Sequence, residues 1–110
     1  MSPIFELRSN EDSQFYFHFI NSNKQLLLIS DEFENKQKAE QAIKEVQKGS
    51  LMNEQISAGQ TAEGSIFFVI KDSAGDVLAK SVLFETRMLF DNGLHNVKDN
   101  ACIAETNDLT

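Results

Sequence analysis

Two histidines, one tyrosine and one cysteine are among the residues of this 110-residue chain whose types suit acid–base, metal or redox chemistry. His18 lies in the aromatic run Phe15–Ile20, where the alternation of a β-strand puts it on the same face as Tyr16. A general base at this position needs an orienting partner, and the pattern identifies no matched acid. Because one imidazole without such an acid does not indicate catalysis, we expect a structural or surface histidine.

The other histidine and the cysteine do not form a metal-binding pattern. His95 and Cys102 are seven residues apart, and adding His18 still leaves the set one ligand short of a structural zinc site. Only one basic residue, Lys98, is near Cys102, so nothing indicates a stabilised thiolate. We expect no metal, no cofactor and an inert cysteine in the C-terminal tail.

A serine, a phenylalanine and a glutamate recur in two places: Ser30, Phe33 and Glu34, and again Ser81, Phe84 and Glu85. Each set lies between a predicted strand and a predicted helix, where a hydroxyl satisfies free backbone groups and a ring packs the start of the helix onto the sheet. We interpret all six as structural residues of these junctions. The alternative is a catalytic pair of the two glutamates, which requires the junctions to meet and one carboxyl to be desolvated.

The same spacing extends over most of the chain, because residues 5–50 align with residues 56–101 without a gap and with seven identical pairs. Apolar positions correspond in order, and both segments change from a strand period to a helix period at the same point. A unit of about 50 residues buries too little apolar surface to be stable alone, so the two should share a core. We predict one domain, 1–110, of two repeats, 4–50 and 55–101, followed by a C-terminal tail, 102–110.

Each repeat is predicted to contain three strands and one helix. The predicted strands are 4–8, 15–20 and 26–30 in the first repeat and 54–57, 66–71 and 77–81 in the second. Each helix follows an N-cap, Asn35 or Thr86, and carries an apolar stripe on one side. The predicted fold class is α+β: a tandem duplication of a β-β-β-α unit, with antiparallel sheets, helices packed on one side and one joint core.

Short motifs recur in both copies: a Phe-x-Phe strand, a small turn, a Ser-x-x-Phe junction and a helix that ends in Val. Through them the chain resembles the YegP-like family of small tandem-repeat bacterial proteins. Where family repeats have Asn-Gly, this chain has Asn23-Lys24 and Ala74-Gly75. Phe33 and Phe84 stand at positions that are Tyr in the family, and Ala42-Ile43 and Gly93-Leu94 stand at its Gly-Ile positions. The resemblance implies a β-β-β-α duplication and a bacterial origin. It implies no established activity and no catalytic residues.

The charge balance argues against polyanionic partners. Ten Lys and Arg against seventeen Asp and Glu give a net charge of −7, which disfavours nucleic acid and anionic membrane surfaces. The longest apolar run, Ile66–Ile70, has five residues, against the roughly 20 that cross a bilayer. With a lone cysteine and no basic-then-apolar leader at the N-terminus, the chain is predicted to be cytoplasmic and to span no membrane.

Two features indicate a contact surface. The second strand of each repeat is apolar on both faces, whereas one layer of helices covers only one face. We expect the partner repeat to cover the other face, with a second chain or a ligand as alternatives. The second helix carries Met88 and Leu89 where the first has Gln37 and Lys38, so its outer side is more apolar. This pair either extends a local core beneath the tail or belongs to an interface.

The leading hypothesis is a non-enzymatic binding or protein-interaction module that binds a protein partner or a second copy of itself. Its candidate interface consists of Met88, Leu89, Tyr16, His18 and Phe67. The alternative is a small-ligand-binding protein or minor enzyme, with a cleft between the repeats that uses Tyr16, His18 and a junction glutamate. The sequence identifies no particular small molecule. A third hypothesis, single-stranded nucleic acid stacking on the aromatic sheet, lacks a basic groove.

Overall fold

The protein is described by a computed structural model over residues 2–110, so Met1 of the predicted domain lies outside the described residues. The strands of this part are β1 (Ile4–Ser9), β2 (Phe15–Ile20), β3 (Leu26–Ser30), β4 (Ile56–Gln60), β5 (Ile66–Lys71), β6 (Val77–Ser81) and β7 (Glu105–Asp108). Helix α1 (Lys36–Gly49) follows β3, and helix α2 (Arg87–Asn100) follows β6. The order β-β-β-α therefore occurs twice along the chain, and the predicted α+β class is confirmed.

All seven strands form one sheet, in the order β4-β5-β6-β3-β2-β1-β7. The halves of the chain meet where β3 and β6 pair antiparallel, with Ile29 opposite Lys80. The prediction of antiparallel sheets is corrected in two respects, since there is a single sheet and its β1–β7 pair is parallel. Pairing β3 with β6 satisfies two strand edges that separate sheets would leave open to solvent.

The hairpin turns share one geometry. At the first position of each turn, a side-chain oxygen accepts a hydrogen bond from the amide four residues on; these first residues are Asn10, Asn21, Thr61 and Asp72. The fourth residue has a positive φ in every turn: 60° at Ser13, 64° at Lys24, 93° at Gly64 and 92° at Gly75. Short polar side chains that bond their own backbone favour such turns.

Both helices begin at the predicted caps. The Asn35 side chain accepts a hydrogen bond from the Lys38 amide at 2.8 Å, and the Thr86 hydroxyl accepts one from the Leu89 amide at 3.1 Å. Each cap satisfies an amide that has no partner within its own helix.

Among residues 2–110, no helix has both the length and the apolar character that a membrane-spanning segment needs.

One hydrophobic core lies between the helices and one face of the sheet. Its largest fully buried side chains include Phe5, Phe17, Phe19 and Phe68, from both halves of the chain. The opposite face, called the open face below, carries among others Glu6, Tyr16, His18, Ile29, Phe67, Val69 and Lys80, and none of these is buried. The expectation that the partner repeat covers this face is wrong, because both halves belong to one sheet and put their helices on the same side.

The C-terminal segment differs from the predicted tail. Ala101–Ile103 forms a short 3-10 helix, and β7 then adds to the outer edge of β1. Four exposed, polar residues make up β7, so no alternation of apolar and polar side chains predicts it. The strand forms because its backbone pairs with β1, and its own sequence pattern does not specify a strand.

Strand β4 also differs from its prediction, 54–57. It begins at Ile56, because Asn53–Gln55 forms a 3-10 helix, and it continues to Gln60. Gly59, predicted to lie in a loop, is a strand residue beneath an aromatic ring. A Cβ atom at Gly59 would approach Phe67 Cζ to 2.6 Å, so the ring of Phe67 occupies the space that a side chain would take.

Candidate functional site

Tyr16 and His18 lie side by side on the open face of β2, with ring centroids 5.3 Å apart. They line a wide, shallow depression of about 280 Å³, together with Asn10, Ile29, Ser30 and Glu32. The acidic residue of this depression is Glu32, whose carboxylate accepts a hydrogen bond from the Asn10 side chain. Neither junction glutamate lines it, so the three groups of the predicted enzyme cleft do not meet.

The surroundings of His18 favour the neutral form of its imidazole. Partial burial lowers its pKa, the positive charge of Arg8 lowers it further, and Glu6 opposes both effects. Glu6 lies directly opposite His18 across the β1–β2 pair, but its carboxylate accepts a hydrogen bond from Arg8 Nη2 at 2.8 Å. Within the described part of the chain, no side chain hydrogen-bonds to His18, so the imidazole lacks the orienting partner that a general base requires.

The two junction serines occupy matching structural positions. Ser30 Oγ accepts a hydrogen bond from the Phe17 amide at 2.8 Å, and Ser81 Oγ accepts one from the Phe68 amide at 2.9 Å. Each hydroxyl in turn donates to the carbonyl of the next residue. The hydroxyls thereby extend the backbone pairing of β2 and β5 at the point where β3 and β6 end.

The junction phenylalanines fix the start of each helix. Phe33 stacks on Phe17 and Phe84 stacks on Phe68, with ring centroids 6.3 Å apart in both pairs. Isolated antiparallel bridges join Phe33 to Phe15 and Phe84 to Ile66. These contacts tie both junctions to the core.

The two junction glutamates are not brought together. Glu34 is exposed and forms an ion pair with Lys38 of its own helix, which lowers the pKa of Glu34. A general acid needs the opposite shift, produced by desolvation or by a second carboxylate. Glu85 is also exposed and belongs to a different surface. The geometry therefore offers no carboxylate pair for acid–base catalysis.

Residues 2–110 contain no group of three or more His, Cys, Asp or Glu side chains that is arranged to hold a metal ion. His95 Nε2 lies 3.0 Å from Asp99 Oδ2 on the outer side of α2, where both side chains are exposed. Cys102 is also exposed, in the 3-10 helix after α2.

The five residues of the predicted interface form three separate groups. Tyr16 and His18 lie on β2, whereas Phe67 lies on β5, with β3 and β6 between them. Lys80 Nζ is 4.4 Å from the centroid of the Phe67 ring, which shields part of that ring from solvent. Met88 and Leu89 lie on α2, on the helical side of the sheet, and are 73% and 50% exposed.

Leu89 lies at the rim of the largest concave site on the helical side, a groove of about 600 Å³ that we call the α2 groove. It runs between the β2–β3 turn of the first half and the junction and helix α2 of the second half. Its lining residues are Asn21, Asn23, Gln25, Leu26, Leu27, Val82, Leu83, Phe84, Glu85, Leu89, Asn92, Gly93 and Asn96. The groove is thus a cleft between the halves of the chain, but it contains neither Tyr16 nor His18.

The α2 groove combines an apolar floor with walls of side-chain amides. Leu27, Phe84 and Gly93 are buried at its base, while Leu83 and Leu89 are exposed beside it. A Cβ atom at Gly93 would approach Phe84 Cζ to 2.5 Å, so the glycine is what admits the aromatic ring against α2.

One polar atom in the wall of the groove has no protein partner. Asn96 Oδ1 is buried and accepts no hydrogen bond from any described residue. A buried acceptor without a donor destabilises the fold, so this atom is an unsatisfied polar group beside the groove.

None of the five amide side chains of the groove was identified from sequence. Asn92 and Asn96 of α2 stand where α1 has Gln41 and Glu45, and this difference between the two helices is the signal that the sequence contains. The contribution of the β2–β3 turn had no such signal, because the turn reaches α2 only through the pairing of β3 with β6.

Comparison with known proteins gives matches over the full chain. Residues 10–52 match a family described as a domain of unknown function, DUF1508. A UPF0339 protein of Bordetella pertussis is 29% identical over 110 residues, which are 100% of this chain and 98% of that protein. The UPF0339 protein YegP of Escherichia coli K12 is 26% identical, with both chains covered completely.

Two solution NMR structures have the same fold. A UPF0339 protein of Shewanella oneidensis matches with a TM-score of 0.94 and 24% identity, over 100% of this chain and 93% of that one. The Escherichia coli protein yegP, described as a protein of unknown function, matches with a TM-score of 0.92 and 26% identity, over 100% and 95%.

Fold and site together define a class: a small mixed α+β protein with one seven-stranded sheet and two helices on one of its faces. Within this class, the chain is similar over its full length to the YegP-like UPF0339 proteins, whose function is uncharacterised. The family resemblance derived from the repeated motifs is therefore confirmed.

Proposed function

We propose that this protein is a non-enzymatic binding module whose binding site is the α2 groove. The observation that carries the proposal is the groove itself, in which an apolar floor adjoins five side-chain amides and one unpartnered buried acceptor. Its volume of about 600 Å³ falls within the range of roughly 300–1,000 Å³ that is common for ligand sites.

The occupant that fits this chemistry is an extended, uncharged segment of a partner protein. Side-chain amides both donate and accept hydrogen bonds, as do the alternating N–H and C=O groups of an extended peptide. Glu85 is the one charged residue of the lining, so neither an anionic nor a strongly basic ligand is specified. Leu83 and Leu89 are 54% and 50% exposed, and they provide contacts for apolar side chains of the segment.

The corresponding position beside α1 supports this assignment by contrast. There the depression has a volume of about 200 Å³ and is lined by Gln41, Lys44, Glu45, Lys48, Gln55, Asp72 and Ser73. Long charged side chains occupy the space that short amides leave open beside α2. The fold therefore does not require a groove at this place, and the α2 groove depends on the side chains that α2 carries.

A peptide selection tests the proposal. Peptides selected from a random library against the folded protein should bind with amide shifts at the β2–β3 turn and α2. Leu89→Lys should weaken binding about tenfold, since it replaces an apolar contact at the rim of the groove with a charged side chain. Lys38→Ala, which changes the equivalent position of α1, is the control and should leave binding unchanged. The proposal fails if selected peptides perturb other surfaces, or if none binds more tightly than about 1 mM.

A small ligand is the second candidate occupant, and the unpartnered Asn96 Oδ1 favours it. A compact ligand with one hydrogen-bond donor would satisfy this atom without covering the exposed rim. Fragment screening by NMR distinguishes the candidates. Fragments that bind at Asn96 and are insensitive to Leu89→Lys indicate a small-ligand site, whereas sensitivity of both ligand types to Leu89→Lys indicates a peptide groove.

Self-association is a further proposal, supported by the exposure of Met88 and Leu89 on α2. The first helix carries Gln37 and Lys38 at the same places. If this pair forms a homodimer interface, the double variant Met88→Gln, Leu89→Lys should be a folded monomer. Sedimentation equilibrium measures this, and an unchanged mass in solution would rule out dimerisation through the pair.

We also propose that the chain arose by tandem duplication. Support comes from the turns, the junction serines and the aromatic stacks, which all recur at a spacing of 51 residues, as from Phe17 to Phe68. A chimera in which residues 15–30 replace residues 66–81 should fold with native circular dichroism if the copies are equivalent. A chimera that remains unfolded would count against duplication.

A cytoplasmic location is proposed on the basis of the single cysteine, Cys102, which has no partner for an internal disulfide. Fractionation of bacterial cells that express the natural chain should recover it with cytoplasmic markers. Recovery in the periplasmic or membrane fraction would overturn the assignment.

A further inference from the structure

The two outer edges of the domain differ in how they are covered. The outer edge of β1 is paired with β7, whereas the outer edge of β4 has no strand beside it among residues 2–110. An unpaired edge presents a row of backbone donors and acceptors that readily pairs with another extended segment. The covered edge shows which chemistry holds such a segment in this fold.

Strand β7 is held by the backbone and by one ion pair. It runs parallel to β1 with Leu7 opposite Asp108, and the Leu109 amide donates to the Leu7 carbonyl at 2.8 Å. The Asp108 carboxylate pairs with Lys36, the first residue of α1. A carboxylate four residues into the added strand is thus recognised by the cation that begins the neighbouring helix.

The same arrangement exists at β4 without an occupant. β4 pairs with β5 in the register that β1 has with β2, since Ala58 lies opposite Phe68 as Leu7 lies opposite Phe17. Arg87 is the first residue of α2, as Lys36 is of α1. The Arg87 side chain is 75% exposed and pairs with Asp91 of its own helix.

The edge of β4 lacks two of the features that commonly prevent pairing. Its five residues, Ile56–Gln60, include no charge and no proline, which are the common protections of edge strands. Ala58 is exposed, whereas Leu7, at the equivalent position on β1, is 1% exposed. The small side chain leaves room on the helical side for an apolar group of an incoming strand.

We propose that the outer edge of β4 binds an extended segment of a partner protein, parallel to β4, with a carboxylate opposite Ala58 that pairs with Arg87. Backbone pairing supplies the affinity and Arg87 supplies the selectivity, as in other complexes formed by strand addition. Glu54 precedes the strand, so the residue of the segment that lies beside the start of β4 should be uncharged or basic. This site is separate from the α2 groove and does not depend on it.

A synthetic peptide tests the proposal on the full-length protein. The probe has the sequence of residues 104–110 with Glu105→Lys, which satisfies both charge requirements. Its addition should shift the amides of β4 and slow their hydrogen exchange. Arg87→Glu should weaken binding about fivefold, and Lys38→Glu, an equal change of charge on α1, should leave it unaltered. Leu89→Lys should also leave it unaltered, which separates this site from the α2 groove.

The proposal is overturned by any of three results: no shift at β4 with a peptide concentration of several millimolar, shifts confined to β1, β7 and α1, or equal weakening by Arg87→Glu and Lys38→Glu. The second result would mean that the peptide displaces β7 from its own edge. The third would mean that net charge rather than Arg87 determines binding. Both variants change exposed side chains, so loss of binding through unfolding is checked by circular dichroism.

Discussion

The first half of the chain, residues 4–50, and the second half, residues 55–101, use the same internal contacts and present different surfaces. In both halves, a serine hydroxyl accepts a hydrogen bond from the amide of a core phenylalanine, and a second phenylalanine stacks on the ring of that residue. The helices differ on their outer sides, where α1 is mostly charged and α2 carries Met88, Leu89, Asn92 and Asn96.

The comparison separates what the fold requires from what it permits. A contact found twice with the same geometry is best explained by the stability of the sheet and the junction. A feature found in one half alone, such as the α2 groove or the free edge of β4, is not needed by the fold. Such features are therefore the places to look for binding.

The largest expected effect concerns the shared contacts. Phe17→Ala and Phe68→Ala should each lower the free energy of unfolding by about 3–5 kcal/mol, because both rings are fully buried beneath a stacked phenylalanine. Urea unfolding followed by circular dichroism measures the loss. Since the core is continuous across the halves, each variant should still unfold in one transition. Persistent structure in the unmutated half would show that the halves are independent.

The second effect concerns the glycine that shapes the groove. Gly93→Ala should destabilise the protein by about 1–3 kcal/mol, because the new methyl group would overlap the Phe84 ring. The equivalent residue of α1 is Ala42, which is buried without such a clash. Ala42→Gly is the matched variant and should cost about 1 kcal/mol, the usual difference in helix propensity. Stabilisation by Gly93→Ala would mean that Phe84 moves freely and does not define the groove.

The sequence predicted most of the strands and helices because each of them is specified by residues close together in the chain. The hairpins and helices are specified by turn residues, capping side chains and apolar periods within about 50 residues. Two features of the fold could not be predicted from these local patterns. The pairing of β3 with β6 joins distant segments, and β7 has four polar residues whose position depends on the edge of β1.

The candidate site was predictable only in part for the same reason. Leu89 was found because α2 departs from α1 at that position, and it lies at the rim of the groove. Asn21, Asn23 and Gln25 belong to an ordinary polar turn in the sequence. Only the single sheet brings that turn beside α2, so their contribution depends on tertiary structure. Tyr16 and His18 were singled out for their chemistry, but the structure puts them on the other face.

A third prediction ranks the two junction serines. Ser81→Ala should cost about 1–2 kcal/mol, because it leaves the Phe68 amide without its acceptor in a buried position. Ser30→Ala should cost less, since Ser30 is only partly buried and water can replace its hydroxyl. Ser22→Ala, in an exposed turn, is the control and should change stability by less than about 0.5 kcal/mol. Equal losses at Ser30 and Ser81 would show that burial does not decide the difference.

The smallest effect concerns the edge that β7 covers. The ion pair with Lys36 and hydrogen bonds from Thr110 lower the pKa of Asp108 from 3.8 to about 2. A lowered pKa means that the ionised carboxylate favours the docked strand, so its contribution is fully present above pH 3.8 and is lost as the pH falls through about 2. Amide exchange in β7 should therefore accelerate between these values while exchange in the core remains slow.

Lys36→Gln tests the cause of this pH dependence. Without the ammonium group, the pKa of Asp108 should rise toward its ordinary value, and β7 should loosen at a correspondingly higher pH. NMR titration of the Asp108 carboxyl carbon measures both states directly. If Asp108 titrates at the same pH with and without Lys36, the ion pair does not hold β7, and the backbone alone covers the β1 edge. In that case the free edge of β4 would need no cation to bind a strand, and Arg87 would lose its proposed role.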